Sequence, residues 1–412
     1  MLDDNKITFF AQTNFRNEIR KFGIRKKDRR YHMYLVGKTG MGKSTLIYNM
    51  IFSDLKNKEG LCLLDPHGDL VEKVLQASLA YRKEDLIYFN PQNQNRTIGF
   101  NPLEITDPSQ SHLVVSALIS VFKKIWFDSW GPRLEYILRN SLLTLIEFPN
   151  STLFHLHKLL SEEKFRKMVV YRVKDELLKY FWMNEFNRYS ERFRQEAIAP
   201  IQNKIGQFLT NNIIRKIITQ PKSSFDLRNI MDNGKILLVN LSKGKIGEDA
   251  ASLLGAMLIA KIGLTALSRQ NMPEIERKDF YLYVDEFQSF ATSSFIDILS
   301  EARKYRLNLI LSNQYLGQMD EKIRMAILGN VGTLISFRVG AEDAKYLTQE
   351  FYPIFSQDNL VNLPAYNIYL KLMIEGQTSQ PFSAETLLPL KKDFNSNFNL
   401  IQTPYYQNKF LI

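Results

Sequence analysis

Met33-Tyr34-Leu35-Val36-Gly37-Lys38-Thr39-Gly40-Met41-Gly42-Lys43-Ser44 is the stretch whose reading decides the fold. Its first four residues form an apolar, strand-like run, and the next eight fit G-x-x-x-x-G-K-[ST] in full. Glycines let a backbone close tightly around phosphates with successive N–H groups pointing inward. From about Lys43 onward, Leu46, Ile47, Met50, Ile51 and Leu55 recur at helical spacing, so a helix adds its positive N-terminal end to the loop. The strand before and the amphipathic helix after are the context this motif requires. The candidate nucleotide-binding residues are Gly37, Thr39, Gly40, Met41, Gly42, Lys43, Ser44 and Thr45. Lys43 is expected on the β- and γ-phosphates, and the Ser44 hydroxyl on Mg²⁺.

Outward from the loop, Gly60 is read as the end of that helix. Leu61 to Leu64 is a short continuous apolar run, as expected for a parallel strand buried on both faces. A helix over Val71 to Leu79 and a strand over Leu86 to Phe89 follow. After Pro102 the pattern changes to long helical periodicity with many aromatics. Strand–helix alternation resumes at Lys235 to Leu241 and continues to Asn367 to Met373. Alternation of this kind predicts an α/β fold with a mainly parallel sheet. The chain is therefore divided into a basic N-terminal segment (1–31), a first core half (32–107), an all-helical insertion (108–232), a second core half (233–390) and a C-terminal tail (391–412). The cluster Arg25-Lys26-Lys27-Asp28-Arg29-Arg30 is read as a solvated turn.

A second chemical motif lies in the second half. Phe280-Tyr281-Leu282-Tyr283-Val284 is an apolar strand that ends in Asp285-Glu286. Beside a phosphate loop, Asp285 is expected to hold the Mg²⁺ shell and Glu286 to take the proton of an attacking water. Leu309-Ile310-Leu311-Ser312-Asn313-Gln314 is a buried strand ending in polar groups, with Gln314 the candidate γ-phosphate sensor. Asp65-Pro66-His67-Gly68-Asp69 admits two readings: metal support by Asp65 and Asp69, or a Pro-Gly turn with an aspartate helix cap. His67 has no second ligand at metal spacing, so no transition-metal site is expected.

Composition narrows the class. The 412 residues carry 54 Lys and Arg against 43 Asp and Glu, a net charge of +11 that suits a polyanionic partner. Cys62 is the single cysteine, which excludes an intramolecular disulfide and fits a reducing cytoplasm. Met1 to Phe10 lacks the apolar run of a signal peptide. Ala251 to Leu267, interrupted by Lys261, reads as a buried core helix.

Taken in order, these segments resemble the HerA–FtsK superfamily of hexameric DNA-pumping ATPases, and more closely the TraG/TraD-type coupling ATPases of type IV secretion and conjugation. The resemblance rests on Gly37 to Ser44, Asp65 to Asp69, Ile98-Gly99-Phe100-Asn101-Pro102-Leu103, Asp285-Glu286, Ser300 to Arg306, Ser312-Asn313-Gln314 and Asn330-Val331-Gly332-Thr333. It implies a RecA-like P-loop NTPase core interrupted by an all-helical insertion domain, and an ATP-driven DNA translocase that hydrolyses ATP with Mg²⁺ to pump DNA through a central channel. It implies a homo-oligomer, a hexamer, with ATP between subunits and an arginine finger from the neighbour. Arg303, 11 residues before Gln314, matches the finger's spacing; Arg306 is the runner-up and Arg338 a further candidate. Ser242-Lys243-Gly244-Lys245-Ile246-Gly247 is either a channel loop or an exposed crossover turn. Relaxase or secretion-channel proteins are the implied partners. Such coupling proteins usually begin with transmembrane helices and this chain shows none, so it is expected in the cytoplasm, as a soluble relative or as the cytoplasmic part of a membrane-anchored protein. Two other functions fit the same residues: a HerA-like helicase working with a nuclease in repair or defence, and an NTPase that recruits protein substrates for secretion through its helical domain.

Overall fold

The structure is a computed structural model and describes residues 4–14, 18–93, 98–105 and 107–389. Packing divides the chain into two units: Met1–Phe89 with Leu227–Ser242 and Thr265–Ile412, and Asn90–Asp226 with Lys243–Leu264. The expected C-terminal tail, 391–412, lies outside the described residues.

The first unit is built on one eleven-stranded sheet. Its strands are β1 (Ile7–Thr13), β2 (Lys21–Arg25), β3 (Met33–Val36), β4 (Gly60–Asp65), β5 (Leu86–Phe89), β6 (Ile236–Asn240), β7 (Phe280–Val284), β8 (Leu307–Asn313), β9 (Thr333–Ser336), β10 (Asn367–Lys371) and β13 (Phe382–Thr386), while β11 (Met373–Ile374) and β12 (Gln377–Thr378) form a separate hairpin. The order is β2-β1-β13-β10-β9-β3-β8-β7-β4-β6-β5. From β9 to β5 every pairing is parallel. Those seven strands are buried at every position, which is why they read as continuous apolar runs rather than alternating ones. The helices Lys43–Lys56 and Asp69–Tyr81 cover part of the sheet through Leu46, Ile47, Met50, Val71 and Val74. The first of them ends at Lys56, and Gly60 is the first residue of β4 rather than the helix stop, because Asn57 to Glu59 make the turn.

The N-terminal segment departs from its reading as a polar arm. β1 and β2 pair antiparallel and extend the sheet through β13. The charged cluster that follows is a short helix, Lys26–Arg29, with Asp28 and Arg29 buried. Arg29 grips Asp54 with both terminal nitrogens (2.6 and 3.0 Å), donates to Tyr283 Oη (2.6 Å) and lies 3.6 Å over the Tyr281 ring. Arg30 reaches Asp279 (3.0 and 2.8 Å). A charge run without apolar neighbours looks solvated; here its guanidinium groups enter the fold because acids from other elements meet them there.

The second unit is helical, with Ser111–Ile125, Pro132–Glu147, Leu153–Ser161, Glu163–Arg172 and Glu191–Thr210 as its longer helices before residue 226. Trp126 and Trp182 are its largest fully buried side chains, and Trp182 Nε1 donates to Thr144 Oγ1 at 2.7 Å. The packing starts this unit at Asn90, where the sequence reading opened its insertion at 108, and adds Lys243–Leu264 to it. The reason is the Ile98–Leu103 segment. Phe100 N–H bonds Ile217 O, and Asn101 Nδ2 reaches the carbonyls of Ser151 and Pro221 (2.8 and 2.9 Å). Lys261 donates to the Glu104 carbonyl, and its burial pushes its pKa down to about 8. Among the described residues one helical stretch, Glu248–Asn271, is long and apolar enough to cross a membrane; 72% of its apolar window is buried inside the protein.

Candidate active site

The glycine loop leaves β3 and is tied at its entry to the strands on both sides. Gly37 N–H donates to Asn313 O on β8 (3.2 Å), and Lys38 N–H donates to Arg338 O just past β9 (2.8 Å). Gly40 and Gly42 stand at φ +77° and +115°, conformations that side chains rarely adopt. Gly42 is also hemmed in: a Cβ there would come 2.9 Å from Tyr366 Cδ1 and 3.3 Å from Phe337 Cε1. Lys43 is buried, and its ammonium curls back to donate to the carbonyls of Gly37 and Lys38. Burial pulls its pKa below the ordinary lysine range, against the pull of the Glu286 and Asp285 carboxylates.

The acidic pair arrives from β7. Ser44 Oγ donates to Asp285 Oδ2 at 3.4 Å. The other oxygen, Oδ1, accepts from Ser312 Oγ and from the Glu286 N–H (3.1 Å). Burial raises the Asp285 pKa, the Ser312 hydrogen bond opposes that, and the neighbouring Asp65 and Glu286 charges add to the rise. Glu286 turns out of the strand at φ +49°. Its carboxylate accepts from Gln288 Nε2 (2.5 Å) on one oxygen and Gln314 Nε2 (3.0 Å) on the other. Asn313 Nδ2 in turn fixes Gln288 through its Oε1 (2.9 Å). Two amides thus fix the direction of the Glu286 carboxylate.

The structure therefore brings Lys43, Ser44, Asp285, Glu286 and Gln314 together. The sequence reading does not mark Gln288 or Ser312 as site residues; the polar pair Gln288-Ser289 between Phe287 and Phe290, just after the acidic pair, is the signal the sequence offers for Gln288. Asp65 follows the capping alternative: its Oδ1 accepts from His67 N–H (2.8 Å) and its Oδ2 from Leu70 and Val71 N–H (2.9 and 3.1 Å), opening the helix Asp69–Tyr81. Asp69 is exposed in its first turn.

Arg303 does not join this cluster within its own chain. It precedes β8, whereas the loop follows the C-terminal end of the parallel neighbour β3, so the length of β8, about 20 Å at 3.3 Å per residue, separates the two edges. Its guanidinium lies 3.5 Å over the Tyr31 ring. Arg306 is paired to Glu274 (3.0 Å). Arg338 sits beside the loop through its carbonyl. Lys243 to Ile246 is a short helix, and Lys243 meets Glu248 at 3.3 Å.

A model of the type IV secretion-system coupling protein DNA-binding domain matches residues 16–351. The chain belongs to this family. Among solved structures, the bacterial conjugative coupling protein TrwBΔN70 in its unbound form aligns with TM-score 0.66 at 17% identity, covering 92% of this chain and 89% of that one. TrwB in complex with ADP and Mg²⁺ aligns at 0.65 and 17%, covering 91% and 88%. VirB4 of Thermoanaerobacter pseudethanolicus aligns at 0.65 and 13%, covering 93% and 96%. These likenesses establish for the coupling-family chain the RecA-like P-loop fold with its mostly parallel sheet. No protein of curated function matches it.

Proposed function

We propose that this coupling-family chain is an ATP-driven DNA translocase of type IV secretion, acting as a hexameric ring on the cytoplasmic side of the membrane, with relaxase or secretion-channel proteins as its partners. The observation that carries the reading is the Glu286 carboxylate, aimed by Gln288 and Gln314 beside the Lys43–Ser44–Asp285 cluster. Family membership favours the coupling role over a nuclease-linked helicase. Solved complexes of TrwB with ADP and Mg²⁺ and with a non-hydrolysable ATP analogue support ATP and Mg²⁺ as the ligands.

The donor set fits Mg²⁺: a serine hydroxyl and a buried carboxylate oxygen face each other, both hard oxygen ligands. Ser44 and Asp285 would hold the ion, which when bound neutralises charge on phosphate oxygens. The chain's own groups do the rest. Lys43 gives up the loop carbonyls for phosphate oxygens, and the N–H groups of residues 39 to 44 orient the phosphates. Glu286 accepts the proton of the attacking water. Gln314, bonded to Glu286, registers the loss of the γ-phosphate and passes it to the loop after β8. Arg303, remote from its own loop, acts on the neighbour's site. The helical unit, assigned to 108–232 from sequence, carries the docking surface for partners, and DNA is held mainly by phosphate contacts.

The test is DNA-stimulated hydrolysis. The wild type should hydrolyse Mg-ATP faster with DNA of any sequence, and the stimulation should fall steeply between about 50 and 200 mM salt. Glu286→Gln should bind ATP and barely turn it over. An ATPase indifferent to every DNA, or undiminished in Glu286→Gln, overturns the reading.

A further inference from the structure

The aromatic ring at residue 366 is placed by more of the fold than its surface position requires. Tyr366 lies just before β10 with φ +65°, a conformation costly for a bulky side chain. Three hydrogen bonds hold it there. Its N–H donates to Met41 O in the glycine loop (2.9 Å), and its carbonyl accepts from the Thr386 N–H (2.8 Å) and Thr386 Oγ1 (3.1 Å). The Cδ1–Cε1 edge of the ring abuts Gly42, where even a methyl group would collide with it. Yet 43% of the residue stays exposed, so the ring is fixed at one edge and open elsewhere.

We propose that Tyr366 is the nucleobase platform of the site: its open ring stacks the base of the nucleotide whose phosphates occupy the glycine loop. The assignment rests on the phosphate-loop reading of Gly37 to Ser44. An aromatic face accepts any base, because every base has a π-face and stacking reads no edge groups. The platform therefore discriminates little between ATP and GTP. Phe337, the other ring against Gly42, is fully buried and serves only as packing.

Asparagine tolerates positive φ, so Tyr366→Asn removes the ring while keeping the backbone relaxed. Calorimetric titrations with Mg-ATP, Mg-GTP and inorganic tripolyphosphate separate base from phosphate binding. In the wild type ATP and GTP should bind within about threefold of each other, and both more tightly than tripolyphosphate. Tyr366→Asn should weaken both nucleotides about tenfold, the lower end of base–aromatic stacking, and leave tripolyphosphate unchanged. Tyr366→Phe should keep wild-type affinities. In the wild type, light-driven crosslinking of an azido-adenine nucleotide should label Tyr366, which tests the placement without any variant. Unchanged nucleotide affinity in Tyr366→Asn, an equal loss of tripolyphosphate, or crosslinks confined to other segments overturns the proposal. Failure of the phosphate-loop reading looks different: Lys43→Ala would then leave tripolyphosphate binding intact.

Discussion

Replacing Gln288 by leucine removes one of the two amides that aim the Glu286 carboxylate and keeps the local volume. Gln288 Nε2 donates at 2.5 Å and Gln314 Nε2 at 3.0 Å, each to a different carboxylate oxygen. Glu286 is only 7% exposed, so water is poorly placed to substitute for a lost donor. A hydrogen bond to a charged group contributes about 1.5–3 kcal/mol. Expressed wholly in the barrier, that range corresponds to about 10- to 150-fold in turnover. Gln288→Leu should therefore lower kcat by at least about tenfold while ATP affinity stays within about twofold, because both amides are directed at the carboxylate. Gln314→Leu should behave alike. The double variant should lose less than the product of the two, since both donors act on one group. Steady-state phosphate release gives kcat, and ATP titration on a Glu286→Gln background gives affinity with turnover suppressed. A wild-type kcat in Gln288→Leu, or a parallel loss of ATP affinity, refutes the orienting role.

Asp54→Asn leaves the fully buried Arg29 charge uncompensated and should cost about 3–5 kcal/mol, read as a Tm lower by about 10 °C; a shift under about 3 °C would contradict the pairing. His32 is buried, accepts the Leu309 N–H on Nδ1 (3.2 Å), and is held by desolvation, with Arg303 adding to it, at a pKa of about 4 instead of 6.5. Its folded pKa lies below the unfolded one, so its stability contribution is complete above about pH 6.5 and is lost as pH falls toward 4, by about 3 kcal/mol at the limit. His32→Asn keeps an acceptor at a positive-φ position, and its Tm should fall less than the wild type's across that window; identical pH profiles would rule this out. Arg303→Ala should bind ATP almost normally and hydrolyse it poorly, and mixing it with Lys43→Ala should restore partial activity in shared rings. Mixed rings that form and stay inactive would exclude a finger acting in trans.

The loop, the acidic pair and the parallel strands were legible because their signals are local: a glycine spacing, a carboxylate at the end of an apolar run, a buried stretch between helices. What the sequence hid depends on distant partners. Arg29 looks like a surface charge until Asp54 and Tyr283 are folded beside it. β1 and β13 pair across more than 370 residues, as Ala11 with Thr386, and neither announces its partner. Gln288 gains its role only because Glu286 turns back at φ +49° toward it. Asp65 could be read as a metal acid or a cap, and only the path of the backbone after Gly68 decides for the cap.

The order of the sheet also governs how the protein can be made. β3 delivers the glycine loop, but its two neighbours are β8 and β9, which begin at Leu307 and Thr333. A ribosome that has finished Val36 must therefore add about 270 residues before the first flanking strand exists. At roughly 5–20 residues per second that wait lasts about 15–55 s. Through it the apolar Met33–Val36 run has no strand to pair with, and the loop lacks the Asn313 and Arg338 carbonyls that tie its entry. Nascent chains stalled before Thr333 should therefore fail to bind nucleotide, which makes this site a late product of translation although its signature motif emerges about 270 residues ahead of the first strand that flanks it.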